Sequence, residues 1–192
     1  MIQKLNTLFN GLHTFIILWA TQGFSALGSS MTSYALVIWA YQQEGSALAS
    51  SLLTVCSYAP YVLLSIFAGA LSDRWNKKRT MLVCDSFAAL CTLSVLVLLV
   101  TGQLKLWHLY VINALNGLGN TLQQPASDVA VSLLTPREQY QKAAGMRAFS
   151  NSLVTILSPV FATALLSAFG IYTVIAFDLL TFTQLSSPWP SL

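Results

Sequence analysis

From Thr80 to Val100 the chain runs through 21 residues with a single charged side chain, Asp85. A hydrocarbon layer about 30 Å thick is crossed by roughly 20 apolar residues, so such a run either spans a membrane or fills the core of a large soluble body. Composition decides between them. Only 8% of the 192 residues are charged and 55% are hydrophobic, with a mean hydropathy of +0.66, too little charge to cover a water-soluble surface. Six such spans can be drawn: Thr14 to Ala40, Ala47 to Leu71, Thr80 to Val100, Leu106 to Gln124, Ala148 to Ala168, and one starting at Ile171. Pro60, Pro125 and Pro159 fall in or at the ends of spans, where neighbouring helices tolerate them. The sequence predicts an all-α membrane protein.

The basic residues set its orientation. Arg74, Lys77, Lys78 and Arg79 follow the second span, and Arg137, Lys142 and Arg147 follow the fourth, while the first, third and fifth connections hold only Lys105. With Lys4, eight of the nine Lys and Arg residues fall on one side, which is therefore cytoplasmic, together with both termini. The net charge of +3 is a topology signal and no nucleic-acid surface, since the cations sit in short segments between apolar runs. Lys4 precedes an apolar stretch longer than a signal-peptide core, which reads as a retained first span. Thr135-Pro136-Arg137-Glu138 forms a capping box for a short cytoplasmic helix leading through Lys142 and Arg147 into the fifth span.

Enzymatic chemistry has no support. The three cysteines, Cys56, Cys84 and Cys91, lie in apolar stretches without metal-ligand spacing, so neither a disulfide framework nor a metal site is expected. His13 and His108 stand at opposite ends of spans. No nucleophile motif or glycine-rich phosphate loop occurs, and no cofactor is implied.

The most specific motif is Gly69-Ala-Leu-Ser-Asp73-Arg74-Trp75-Asn76-Lys77-Lys78-Arg79, which resembles the loop between the second and third spans of the major facilitator superfamily. The stretches Leu27 to Thr32, Trp39 to Ser46, Phe67 to Gly69, Gln124 to Ala126, Thr135 to Gln139 and Phe177-Asp178 are similar to its macrolide-efflux and enterobactin-exporter branch, and together cover most of positions 15–183. The resemblance implies six transmembrane helices forming the N-terminal half of a twelve-helix transporter in a bacterial plasma membrane. It also implies a gating loop of Gly69, Asp73, Arg74, Lys77, Lys78 and Arg79, with Asp73 latching the state closed to the cytoplasm. A simple topology anchor is the other reading of the cations. At Asn76 the family usually has glycine; asparagine tolerates the left-handed backbone a glycine would supply, so the same turn is expected.

Two polar stripes mark a cavity. Gln22, Ser25, Ser29 and Ser33 share one face of the first span, and Asn113, Asn116, Asn120 and Gln124 one face of the fourth. Carboxamides facing lipid are costly, and the resemblance implies that these two spans line the central cavity. Gln22, Asn113, Asn116 and Asn120 are the substrate-cavity candidates; for the serines, helix packing explains the pattern equally well. Asp178, about seven residues into the sixth span, has no basic residue beside it in sequence. Burial without a cation favours the neutral form of a carboxyl, which makes Asp178 a candidate proton-coupling site, with a structural hydrogen-bonding role as the alternative. Asp85 and Asp128, nearer the cytoplasmic face, are candidates for a charge network around Arg74. The basic residue that many drug–proton antiporters carry in the fourth span is missing here.

The expected activity is thus proton-coupled efflux of macrolides or other amphipathic compounds, with siderophore or metabolite export, or a non-transporting membrane partner, as alternatives. The run from Ile171 to Leu185 is short for a span and breaks into Ser186-Ser-Pro-Trp-Pro-Ser-Leu192. Residues 1–192 are therefore expected to be a six-helix half truncated near 185–192, with a tilted or shortened sixth helix as the other reading; the expected partners are lipid, substrate, protons, and a missing second half or another copy.

Overall fold

The computed structural model describes residues 2–134 and 139–186. Within them, the side chains of 2–15, 17–18, 66–74, 77–78, 130–134 and 183–186 lie outside the described set. Every element is helical: α1 (Ile2–Glu44), α2 (Ala47–Arg74), α3 (Lys77–Val100), α4 (Leu106–Leu134), α5 (Tyr140–Phe169) and α6 (Ile171–Ser186). The capping box at 135–138, His13 and the chain end beyond Ser186 lie outside the described residues.

Among the described residues, Ala47–Ser65, Arg79–Val100 and Tyr140–Phe169 are long and apolar enough to cross a membrane, and Ile171–Phe182 is a shorter apolar stretch. The described residues of α1 and α4, which carry the two polar stripes, fall short of that apolarity. Two expectations about helix ends are corrected. Pro125 does not end α4, which continues to Leu134: a proline ring removes one backbone hydrogen bond, and the packed bundle absorbs the loss. Asn76 is not left-handed. It has φ −68° and ψ 114° and is the N-cap of α3, its side-chain oxygen accepting from the Arg79 N–H at 3.3 Å. Asparagine thus serves a different purpose from glycine here, supplying an acceptor to a helix start. Asn76→Ala is expected to lower stability by about 1 kcal/mol, checked by thermal unfolding in detergent.

The packing repeats itself. Helix α1 packs on α5 and α6, and α4 packs on α2 and α3, so the first helix of each three-helix segment docks on the second and third of the other. Nested three-plus-three repeats of this kind are a recurrent transporter architecture. Two close approaches fix it. A methyl at Gly117 would overlap the Ser57 carbonyl oxygen of α2, and one at Gly28 would overlap the Thr181 hydroxyl and lie 3.1 Å from the Asp178 Cα of α6.

Cross-helix hydrogen bonds show which ends lie together. At one end, Tyr110 donates to the Ala49 carbonyl (3.1 Å) and Tyr172 to the Leu99 carbonyl (3.5 Å). At the other, the Trp19 indole donates to the Met146 carbonyl (2.9 Å). The apolar core belongs to the first end, where Met31, Ala35, Leu36, Ala40, Leu53, Val95, Leu109, Ala162, Ile171, Val174 and Ile175 pack into one apolar plug. The exterior carries large apolar side chains in the open, among them Leu48, Leu63, Phe149 and Phe169. This outward apolar face is the reverse of a water-soluble surface.

Candidate functional site

Inward of the apolar plug the six helices surround a cavity of about 870 Å³. All four cavity candidates, Gln22, Asn113, Asn116 and Asn120, line it, as do Ser25, Ser29, Ser33 and Gln124. The helical spacing of the stripes was sufficient to find them. Each stripe is the side of α1 or α4 left uncovered when that helix docks its other faces on its neighbours.

Asp178 sits on the wall of this cavity, at the foot of the plug, 4% exposed. One of its carboxylate oxygens accepts from the Ser29 hydroxyl of α1 (2.9 Å) and the other from the Thr92 hydroxyl of α3 (3.2 Å). A single carboxyl therefore ties three helices together. Gly28 makes this possible by letting α6 approach α1, which brings Ser29 to bonding distance. Among the described residues no cation pairs with it.

Asp85 lines the same cavity one level further from the plug, and the Gln123 amide donates to its Oδ1. Its Oδ2 is out of contact with solvent and has no hydrogen-bond partner, as is true of Asn116 Oδ1. Still further out, Ser127 donates to Gln22 Oε1 (3.4 Å), and Arg147 of α5 forms an ion pair with Asp128 of α4. The two acids placed by sequence around Arg74 thus have described partners of their own: a neutral amide for Asp85 and Arg147 for Asp128. Arg147 also lines the cavity. Sequence reading counted Arg147 as a topology signal; its one available clue was a position three residues before the asparagine and serine face of α5.

The gating motif is more helical than a loop. Gly69, Asp73 and Arg74 fall in the last turns of α2, Lys77 and Lys78 open α3, and only Trp75 and Asn76 separate the helices. The side chains of Asp73, Arg74, Lys77 and Lys78 lie outside the described residues; Arg79 is exposed. The free cysteines Cys56, Cys84 and Cys91 stand apart, and no group of three metal-ligating side chains occurs among the described residues.

An all-helical body with an apolar exterior and a polar-walled central cavity is a membrane transporter core. The family model of the Major Facilitator Superfamily matches residues 18–183, and the chain belongs to that superfamily of multi-pass membrane transporters. It is 27% identical over 166 residues to macrolide efflux protein A of Streptococcus pyogenes, covering 86% of this chain and 41% of that protein. It is 28% identical over 136 residues to macrolide efflux protein A of Enterococcus faecalis, covering 71% of this chain and 42% of the relative. It is also 28% identical over 168 residues to the uncharacterized MFS-type transporter YfiS of Bacillus subtilis (strain 168), covering 87% of this chain and 39% of the relative. The chain spans about two fifths of the length of these curated relatives.

Proposed function

We propose that the protein exports amphipathic compounds, macrolides among them, in exchange for protons taken up at Asp178. The observation that carries this reading is a buried carboxyl held by hydroxyls, on the wall of a polar cavity bordered at one end by the apolar plug. Such a group takes up or releases a proton at little cost in structure, because hydroxyl donors rotate to serve either form. The names of two relatives support the substrate class.

In this reading all six helices cross the bilayer, and residues 1–192 form the N-terminal half of a twelve-helix fold. The α2–α3 and α4–α5 connections and both termini face the cytoplasm, as the distribution of lysine and arginine requires. The segment from Gly69 and Asp73 through Arg74, Lys77, Lys78 and Arg79 gates the cavity at that face. Gln22, Asn113, Asn116 and Asn120 contact substrate, while Asp85 and Asp128 belong to the charged inner rim. Alternating access rocks one six-helix body against another, so transport also requires a second body, from the same polypeptide or another.

The test is accumulation of radiolabelled erythromycin in sensitive cells that express the protein together with its second six-helix body, both at a verified membrane level. Lower accumulation is expected, restored to the control level by a protonophore. Accumulation equal to that of control cells would sink the macrolide reading. Efflux that survives the protonophore would sink the proton coupling.

A further inference from the structure

Acidic side chains outnumber basic ones on the cavity wall. Its charged lining residues are Asp85, Asp178 and Arg147, and Arg147 is already engaged by Asp128. The two carboxylates differ in what they lack. Each oxygen of Asp178 receives a hydroxyl proton, and the residue is enclosed. Asp85 has one neutral donor, Gln123, on Oδ1 and none on Oδ2. A carboxylate oxygen withdrawn from water without a donor is unfavourable, and a charged donor compensates it about twice as well as a neutral one.

We propose that the cavity selects amphipathic monocations and that Asp85 binds their protonated amine. The ammonium N–H donates to the Asp85 carboxylate. Rotation of this carboxylate about its terminal torsion, which has a broad minimum, presents the unpartnered oxygen to the cavity. The walls suit the remainder of such a ligand: Tyr34, Tyr58 and Tyr61, all exposed, line the same space, and aromatic faces attract both apolar bodies and cations. Asp178 is left free for the proton. The inference rests on the cavity being the substrate site.

The test measures binding of two tricyclic probes to the purified protein in nanodiscs by equilibrium dialysis: imipramine, a protonated tertiary amine, and carbamazepine, a neutral relative of similar ring shape. The wild type is expected to bind imipramine about tenfold more tightly than carbamazepine. Asp85→Asn should remove that preference while leaving carbamazepine affinity unchanged, and Asp85→Glu should keep it. Equal affinities in the wild type, or a preference that survives Asp85→Asn, overturn the amine anchor and leave the cavity reading standing. A preference lost in Asp178→Asn but retained in Asp85→Asn overturns the choice of residue. Failure of the wild type to bind either probe overturns both the inference and the cavity reading beneath it.

Discussion

Gly117→Ala should destabilise the bundle by about 3 kcal/mol, seen as a fall of roughly 10 °C in melting temperature in detergent. The added methyl meets backbone rather than a movable side chain: it overlaps the Ser57 carbonyl oxygen and lies 3.1 Å from the Ser57 carbonyl carbon and 3.2 Å from Pro60 Cγ. Neither helix has an easy way to yield. Helix α2 already contains Pro60, and α4 is held on its other flank by α3. Gly145→Ala is the matched control, because nothing lies within 4 Å of its added methyl. There the helix gains up to about 1 kcal/mol from the better helix former. Equal melting of Gly117→Ala and wild type would falsify the close α2–α4 contact.

Asp178→Asn should abolish proton-driven transport while leaving the fold intact. The side chain keeps its shape and one acceptor oxygen, and the hydroxyls of Ser29 and Thr92 can turn to accept from the new amide. The expected cost in stability is therefore about 1 kcal/mol. What disappears is the titratable group. In proteoliposomes containing the protein with its second six-helix body, an imposed pH gradient should no longer drive substrate uptake. Exchange of labelled for unlabelled substrate at equal pH should continue, because that half-cycle moves no net proton. Gradient-driven uptake at the wild-type level would reduce Asp178 to a structural tie between α1, α3 and α6.

The parts of this molecule legible in its sequence are those governed by one helix at a time. Helix positions followed from run lengths, and the faces of Gln22 and of Asn113, Asn116 and Asn120 followed from a period near 3.6 residues. The start of α6 at Ile171 and the place of Asp178 along it were equally local. What stayed hidden depended on pairs of helices. Nothing within α3 announces that Asp85 meets Gln123 of α4, 38 positions away, or that Thr92 reaches Asp178 across 86. The place of Arg147 on the cavity wall was hidden for the same reason: it depends on the docking of α5 on α1. Asn76 failed differently. A family glycine suggested a left-handed turn, whereas a shorter connection leaves a helix start whose free N–H groups call for a side-chain acceptor.

The apolar plug has an electrical consequence. In the proposed arrangement, the voltage of an energised bilayer falls mainly across the region of lowest polarisability, the layer built from Met31, Leu36, Leu53, Val95, Leu109 and Ile175. The polar residues from Arg147 and Asp128 to Asp178 lie outside that layer. Under the proposed coupling, a proton reaching Asp178 past them would do little electrical work. The work of about 2.3 kcal/mol per elementary charge at 100 mV is concentrated in the step that unseals one end and seals the other. Voltage would then change the rate of that rearrangement and leave the affinity of Asp178 for protons nearly untouched.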